Sequence, residues 1–413
     1  MAEGKSTNRV NRKLKIVIYT HDFLPLIGGV QTQIELLARG FMTFPGVDAP
    51  PEFEPIVVTN TPAGDFDDSS LSFPIVRNPS VSELIRLIRG AQVVHIAGPA
   101  LLPLVIARLL RKPTMVEHHG YQAICLNGAL LHEPDRAVCP GHFQAGRISE
   151  CLRCQRSELS SMRKSLLRLI ATKMRNCLCR RVENVAITSY VLKRHSLPNS
   201  RVIYYGIEDT LMGKTVTVAK SIVPVKVRFA CLGRLVPEKG VGVLLSAAAE
   251  LQREGRDFDI WLIGDGTERP HLESEIKRLG LGSRVRLTGF LSGTALSSLL
   301  QRVDVIVMPS VWEETAGLSA IEHMMRGRLV IASAIGGLGE VVGDVGILFP
   351  PGEAEALAAC MAAVIGRPEQ IVALGIKART RALTTFGWQR MLEEHAEVYR
   401  QAASSRSTSP RTP

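Results

Sequence analysis

Gly233-Arg234-Leu235-Val236-Pro237-Glu238-Lys239-Gly240 places an arginine and a lysine in a turn between the apolar run Val227 to Leu232 and a helical pattern from about Val241. A turn that opens a helix offers unpaired N–H groups and the positive end of the helix dipole, so two flanking cations there suit a diphosphate. Taken alone, the segment could equally be a solvated charged turn. A second constellation, Glu314-Thr315-Ala316-Gly317-Leu318-Ser319-Ala320-Ile321-Glu322, follows the run Asp304 to Met308 and the turn Pro309-Ser310. Gly317 and Leu318 begin a helix with free amides, and the Glu322 side chain tilts back toward that end. Glu314 and Glu322 then bracket a phosphate-sized space, and their oxygens can accept from paired hydroxyls such as those of ribose or a hexose. Two isolated glutamates would instead read as a helix cap and a surface residue. Gly264-Asp265-Gly266 ends another strand but lacks the spacing of a dinucleotide fingerprint, and Gly336-Gly337-Leu338-Gly339-Glu340 is a further strand-end turn expected to face the same cleft.

The first half carries different chemistry. Gly28-Gly29 follow the first apolar strand, where missing side chains would admit close backbone approach, and His118-His119 end the run from Pro113. Four of the eight cysteines, Cys125, Cys139, Cys151 and Cys154, fall at Cys-x13-Cys-x11-Cys-x2-Cys in a polar loop. One Cys-x2-Cys knuckle with two upstream thiols could form a tetrahedral structural zinc site, and four scattered, partly buried thiols is the alternative. From about Ser157 to Arg181 the pattern is a helix with Arg163, Lys164, Arg168, Lys173, Arg175, Arg180 and Arg181 among Leu166, Leu167, Leu169, Ile170, Met174 and Leu178. It reads either as a core-facing helix with a solvated basic face or as one lying on an anionic membrane surface.

Elements that could position these groups recur in one order. Strands at Ile16 to Tyr19, Pro55 to Thr59, Gln92 to Ala97, Pro113 to His118 and Asn184 to Thr188 are each followed by a helical stretch, the first over Val30 to Phe41. The alternation restarts at Val227 and continues at Asp259 to Ile263, Val285 to Thr288, Asp304 to Met308, Leu329 to Ala332 and Gly346 to Phe349. This predicts an α/β fold of two tandem Rossmann-like, doubly wound units, with ligands bound where strand-end loops face a central cleft. We place a disordered basic N-terminus at 1–13, an acceptor domain at 14–208 with its cysteine loop at 120–157, and a donor domain at 209–385. A C-terminal helix at 386–403 is expected to pack back on the first domain, followed by a disordered tail at 404–413.

The 413 residues, 46% hydrophobic and 22% charged, exclude collagen-like and wholly disordered chains. The net charge of +11 is concentrated between Arg147 and Arg194, where 12 basic residues face 3 acidic ones. No apolar run reaches the length of a membrane span, and Met1 to Lys15 lacks the apolar core of a secretory signal. The expected location is cytoplasmic, with peripheral contact on the inner face of the membrane as the role for the basic helix.

The order Gly-Arg-x4-Lys-Gly, Gly-Asp-Gly, Glu-x7-Glu and Gly-Gly-x-x-Glu, with Gly28-Gly29-Val30 upstream, resembles glycosyltransferase family 4 from about Lys15 to Arg400. The resemblance implies a GT-B fold and a retaining hexosyltransferase that uses a nucleoside diphosphate sugar, with a glycan, lipid-linked or small-molecule acceptor in polysaccharide or cell-envelope synthesis. It implies Arg234 and Lys239 on the donor diphosphate, Glu322 on ribose, Glu314 on the transferred sugar, and the Gly317 and Leu318 amides on sugar and phosphate. Gly28, Gly29, Gly233 and Gly264 would be donor-binding loop positions, and His119 would contact the sugar as a catalytic residue. Ala316 departs from the common Glu-x-Phe-Gly and alters packing beside the sugar pocket, and Leu329 departs from Gly-x-Pro-Val at a strand start. No catalytic metal is expected, because cations and amides supply the charge; Asp65-Phe66-Asp67 and Asp257-Phe258-Asp259 are read as incidental. A sugar-nucleotide epimerase of the same fold and a non-enzymatic nucleic-acid or membrane binder are the rival readings; nucleic acid is not an expected partner of the transferase.

Overall fold

The computed structural model describes residues 13–46, 49–158, 161–209 and 224–404. The expected disorder at the two ends and the polar stretch around Lys214 to Lys220 fall almost wholly outside them.

Two parallel sheets form the frame. The first is built from β1 (Leu14–Thr20), β2 (Phe53–Thr59), β3 (Ile75–Arg77), β4 (Val93–Ala97) and β5 (Thr114–His118), and a small antiparallel hairpin, β6 (Leu131–His132) and β7 (Ala137–Val138), interrupts the series before β8 (Glu183–Ala186) and β9 (Ser200–Val202). Its order is β3-β2-β1-β4-β5-β8-β9. The second comprises β10 (Val227–Leu232), β11 (Phe258–Ile263), β12 (Val285–Gly289), β13 (Val305–Met308), β14 (Leu329–Ser333) and β15 (Ile347–Phe349), in the order β12-β11-β10-β13-β14-β15. In each sheet the first strand sits centrally and the chain winds outward on both sides, which is the doubly wound pattern. β1, β4, β13 and β14 are apolar along most of their length and almost wholly buried, as strands covered on both faces must be, and β5 is equally buried although it carries Glu117 and His118.

Helices cover both faces: α1 (Gly29–Phe41), α2 (Val81–Gly90), α3 (Leu101–Leu109), α4 (Ile148–Glu158), α5 (Met162–Cys179) and α6 (Ser189–His195) in the first unit, then α7 (Val241–Arg253), α8 (Arg269–Arg278), α9 (Gly293–Leu300), α10 (Leu318–Met325), α11 (Gly336–Val342), α12 (Ala354–Gly366), α13 (Glu369–Thr385) and α14 (Trp388–Ser404). The fold class expected from the alternation is the one observed. Three details differ. β3 and β9 are three-residue edge strands, too short to show a period. The cysteine loop contains the β6–β7 hairpin. The basic helix expected from Ser157 starts at Met162 as α5, and it packs on a separate preceding helix, α4.

The last helix, α14, returns to the first unit. Met391, Leu392, Ala396 and Tyr399 join the core built from Ile16, Phe41 and Phe53, with the Tyr399 ring 5.3 Å from that of Phe41. A second core continues from the β4 and β5 side of the first sheet into the β13 and β14 side of the second, so the two units share buried apolar surface.

Candidate active site

Between the carboxyl ends of the two sheets lies a cleft of about 470 Å³. The second unit supplies most of its wall: the turn after β10, the loop after β13 and the first turn of α10. The first unit supplies Gly29 and Val30 at the start of α1, together with His119 and Tyr205.

Arg234, Lys239, Gly233, Glu314, Gly317, Leu318, Glu322, Gly29 and His119 all line this one cleft, although they come from widely separated segments. The turn carrying the two cations is fixed by Gly240, whose φ of +65° is left-handed and whose missing Cβ would stand 1.9 Å from the Pro309 carbonyl oxygen. That contact locks the turn to the loop carrying Glu314. Lys239 Nζ is bonded to the Glu314 carboxylate, whose same oxygen also accepts from Ser310 Oγ at 2.9 Å. Arg234 is exposed and has no carboxylate partner among the described residues, so its guanidinium is available to a ligand anion. Burial raises the Glu322 carboxyl above its usual range, with Arg326 opposing. Ala316 lies in the wall as a buried small side chain where a bulkier one would narrow the pocket.

Other expected positions fall outside the lining. Gly28 is the extended N-cap of α1, next to the cleft-lining Gly29, which packs toward Leu318 across the cleft. Gly264 lies behind the wall, where a Cβ would meet the Gly233 carbonyl oxygen at 1.9 Å, so it sets the close approach of two loops. The Gly336–Glu340 turn does not face the cleft as expected. Glu340 accepts from the Ser189 and Tyr190 amides at 2.8 Å each and from Tyr204 Oη at 2.6 Å, capping α6 of the opposite unit. Asp67 caps a short turn, and Asp257 and Asp259 pair with Lys226, so neither Asp-x-Asp reaches the cleft.

His119 is held from behind by a network that the sequence did not disclose. Its Nδ1 lies 2.8 Å from Tyr205 Oη, and its Nε2 is 3.5 Å from Glu117. Glu117 is buried and also meets His95 at 3.1 Å and His395 of α14 at 3.6 Å. Burial alone would raise the Glu117 carboxyl, but the histidines around it hold it well below the usual carboxylate range. Burial likewise disfavours charge on His119 and His95, lowering both against the pull of Glu117. The partners are distant in the chain, which is why no local motif announces them.

The four cysteines gather in the first unit, away from the cleft, around one small cavity that is also lined by His132, His142 and Glu150. Cys125 Sγ donates to Asn127 Oδ1 at 2.9 Å, and Cys154 Sγ lies 3.6 Å from the Leu131 carbonyl oxygen. The segment bears on the opposite unit: Trp312 Nε1 donates to the Ala129 carbonyl at 2.6 Å, and Arg136 pairs with Glu238 at 3.2 Å. Arg194 ties the Cys139 carbonyl at 2.7 Å to Glu313 at 3.1 Å, beside Glu314.

With this geometry in hand, residues 226–367 match the family described as Glycosyl transferases group 1. The matched stretch runs from β10 to α12, the core of the second unit. Over 144 residues the chain is 38% identical to the 2-deoxystreptamine glucosyltransferase of Streptomyces kanamyceticus, covering 34% of this chain and 37% of that protein. Over 185 residues it is 34% identical to the glycogen synthase of Mycobacterium tuberculosis, covering 44% of each. The matched stretch thus spans less than half the length of these curated relatives. The fold resemblance runs further than the group 1 domain. Anabaena Alr3699/HepE in complex with UDP superposes with a TM-score of 0.69 at 18% identity, over 94% of this chain and all of that one. Sucrose-phosphate synthase from Thermosynechococcus elongatus gives 0.67 at 19%, over 95% and 100%. The architecture is that of the GT-B glycosyltransferases.

Proposed function

We propose that this chain is a retaining glycosyltransferase that moves a hexose from a nucleoside diphosphate sugar to an acceptor hydroxyl. The observation that carries the reading is the convergence on one cleft of Arg234, Lys239, the first turn of α10, Glu314 and Glu322 from the group 1 domain with Gly29 and His119 from the other unit. A neighbour of the same fold solved in complex with UDP supports a nucleotide donor.

As the glycosidic bond breaks, negative charge grows on the leaving diphosphate, and cations and helix amides placed there act on the transition state more than on the ground state. Lys239 is paired with Glu314 in the described state. An arriving diphosphate competes for that ammonium, and the transfer of Lys239 to phosphate frees Glu314 oxygens for sugar hydroxyls. Glu322, one face along α10, accepts from the ribose. The acceptor enters on the side of the first unit, past His119 and the segment bearing the cysteines. Retention follows from the family resemblance.

A peripheral membrane contact, and with it a glycan or lipid-linked acceptor, is supported by α5. This helix turns Ser165, Leu169, Thr172 and Cys179 inward. Met162, Leu166, Leu167, Ile170 and Met174 point outward, between 43% and 57% exposed, among the exposed Arg163, Lys164, Arg168 and Lys173. The neighbouring α3 adds exposed Leu102 and Leu109. Apolar side chains between cations on one face match an anionic lipid surface. Among the described residues no single helix is long and apolar enough to cross a membrane.

The test is turnover of a nucleoside diphosphate sugar panel, with and without a hydroxyl acceptor, on purified protein. Release of nucleoside diphosphate with glycosylated product supports transfer, and consumption of donor to an isomeric sugar nucleotide without acceptor points to the epimerase instead. Inertness toward every donor, with no protection against thermal unfolding, sinks the nucleotide-sugar reading.

A further inference from the structure

The chain between β5 and α4 is a long excursion whose only regular structure is a hairpin with two-residue strands. A segment with so little internal pairing needs some other tie, and its buried side chains show what that tie is. His132 on β6 is 5% exposed, and its Nδ1 lies 2.7 Å from the Asp135 carboxylate. The nitrogen facing a carboxylate carries the proton, so the other one, Nε2, presents a lone pair. That Nε2 is buried with no hydrogen-bond partner and faces Glu150 of α4 at 3.8 Å. His142 Nδ1 is likewise buried and unbonded, and the two imidazole rings are 5.1 Å apart. One ligand atom from each of His132, His142 and Glu150 lies within 4.8 Å of the others, the one such group of histidine, cysteine and acidic side chains among the described residues.

We infer that His132, His142 and Glu150 hold one divalent transition-metal ion, with Asp135 orienting His132 from behind. Two imidazoles and a carboxylate are a ligand set that zinc takes readily, and a carboxylate on the far nitrogen of a ligating histidine is the usual supporting contact. Zinc bonds of about 2.0–2.1 Å place tetrahedral ligands roughly 3.3 Å apart, so atoms within 4.8 Å of one another need to close by at most ~1.5 Å. The adjoining cavity of about 20 Å³ has room for a single ion or water. This ligand set differs from the four thiols read from the sequence. The thiols line the same cavity, but Cys125 and Cys154 are directed at amide and carbonyl oxygens, whereas the two histidine nitrogens have no partner. The ion would cross-link the hairpin, the loop after it and the first turn of α4. It would thereby stiffen the segment that bears on Trp312 and Glu238 beside the cleft.

The experiment is metal content by mass spectrometry after incubation of the whole protein with zinc and desalting, on chains purified without metal-affinity resin. The variants are His132→Ala with His142→Ala, and Cys151→Ser with Cys154→Ser, each checked by circular dichroism. We expect about one zinc per wild-type chain, at least a tenfold loss in the histidine variant and retention in the cysteine variant. Cobalt-loaded wild type should lack a strong thiolate-to-cobalt charge-transfer band, a readout that stands even if a variant fails to fold. A wild type that retains no zinc overturns the site. Loss in the cysteine variant alone, or an intense charge-transfer band, overturns the ligand assignment and returns it to the thiols.

Discussion

Arg234 and Lys239 illustrate how one turn can carry two cations in different states. Arg234 is exposed without a carboxylate partner among the described residues, whereas Lys239 is held by Glu314. Both Arg234→Ala and Lys239→Ala should lower kcat/KM on the order of 10²-fold, the magnitude lost when one donor to a developing oxyanion is removed. Near-normal kinetics in both would remove the diphosphate assignment. Glu322→Ala should act differently, raising the donor KM more than it lowers kcat, because a ribose contact changes little between ground and transition state. A fall in kcat at constant KM would contradict that role. Arg234 and Lys239 were readable because they sit in the turn directly after an apolar strand, and Glu322 because it lies in the helix that opens after another such strand; the alternation itself marks these ligand-facing ends. Glu117 and Glu340 were not, because the partners that explain them, His395, Ser189 and Tyr204, lie far away in the chain.

At the scale of elements, the turn from Gly233 to Gly240 depends on its last residue. Gly240→Ala would strain a left-handed backbone and drive a methyl into the Pro309 carbonyl, a cost of about 2 kcal/mol or more with loss of donor affinity. Urea unfolding and donor titration would check it, and unchanged midpoint and affinity would show that the two loops are not locked together. Helix α5 makes a separate prediction. Leu167→Asp with Ile170→Asp should leave the fold intact, since both side chains are exposed, yet abolish co-sedimentation with phosphatidylglycerol vesicles. Equal binding of wild type to phosphatidylcholine at high salt would argue against an electrostatic surface contact. The sequence showed the basic and apolar residues of α5 interleaved, but which face turned inward was decided by the packing of α5 on α4 and α3, with Ser165 and Thr172 buried, a tertiary fact. The β6–β7 hairpin and the three-residue edge strands β3 and β9 escaped notice because so few residues carry no periodicity.

On the scale of the whole molecule, several histidines are buried without charge. Burial, with His195 nearby, lowers His118 from 6.5 to about 3, and burial lowers His195 from 6.5 to about 4; His323 is lowered as well. A group whose folded pKa is depressed binds a proton in the unfolded chain first. The stability it lends is complete above pH 6.5 and drains away as pH falls through that value toward the folded pKa. At about 1.4 kcal/mol per unit for each group, His118 and His195 together should remove on the order of 3 kcal/mol between pH 6.5 and 5. Calorimetry across that interval gives the answer, and a flat profile would mean these rings are protonated in the fold.

The return of α14 to the first unit also orders events in time. A ribosome releases Ile16, Phe41 and Phe53 before the second unit, yet Tyr399 and Leu392, which complete their packing, emerge only after it. Domains made first usually fold first. Here the leading unit must wait with an apolar groove open while the trailing unit is synthesised, and a transcript cut short after Thr385 should yield a chain that chaperones retain rather than release.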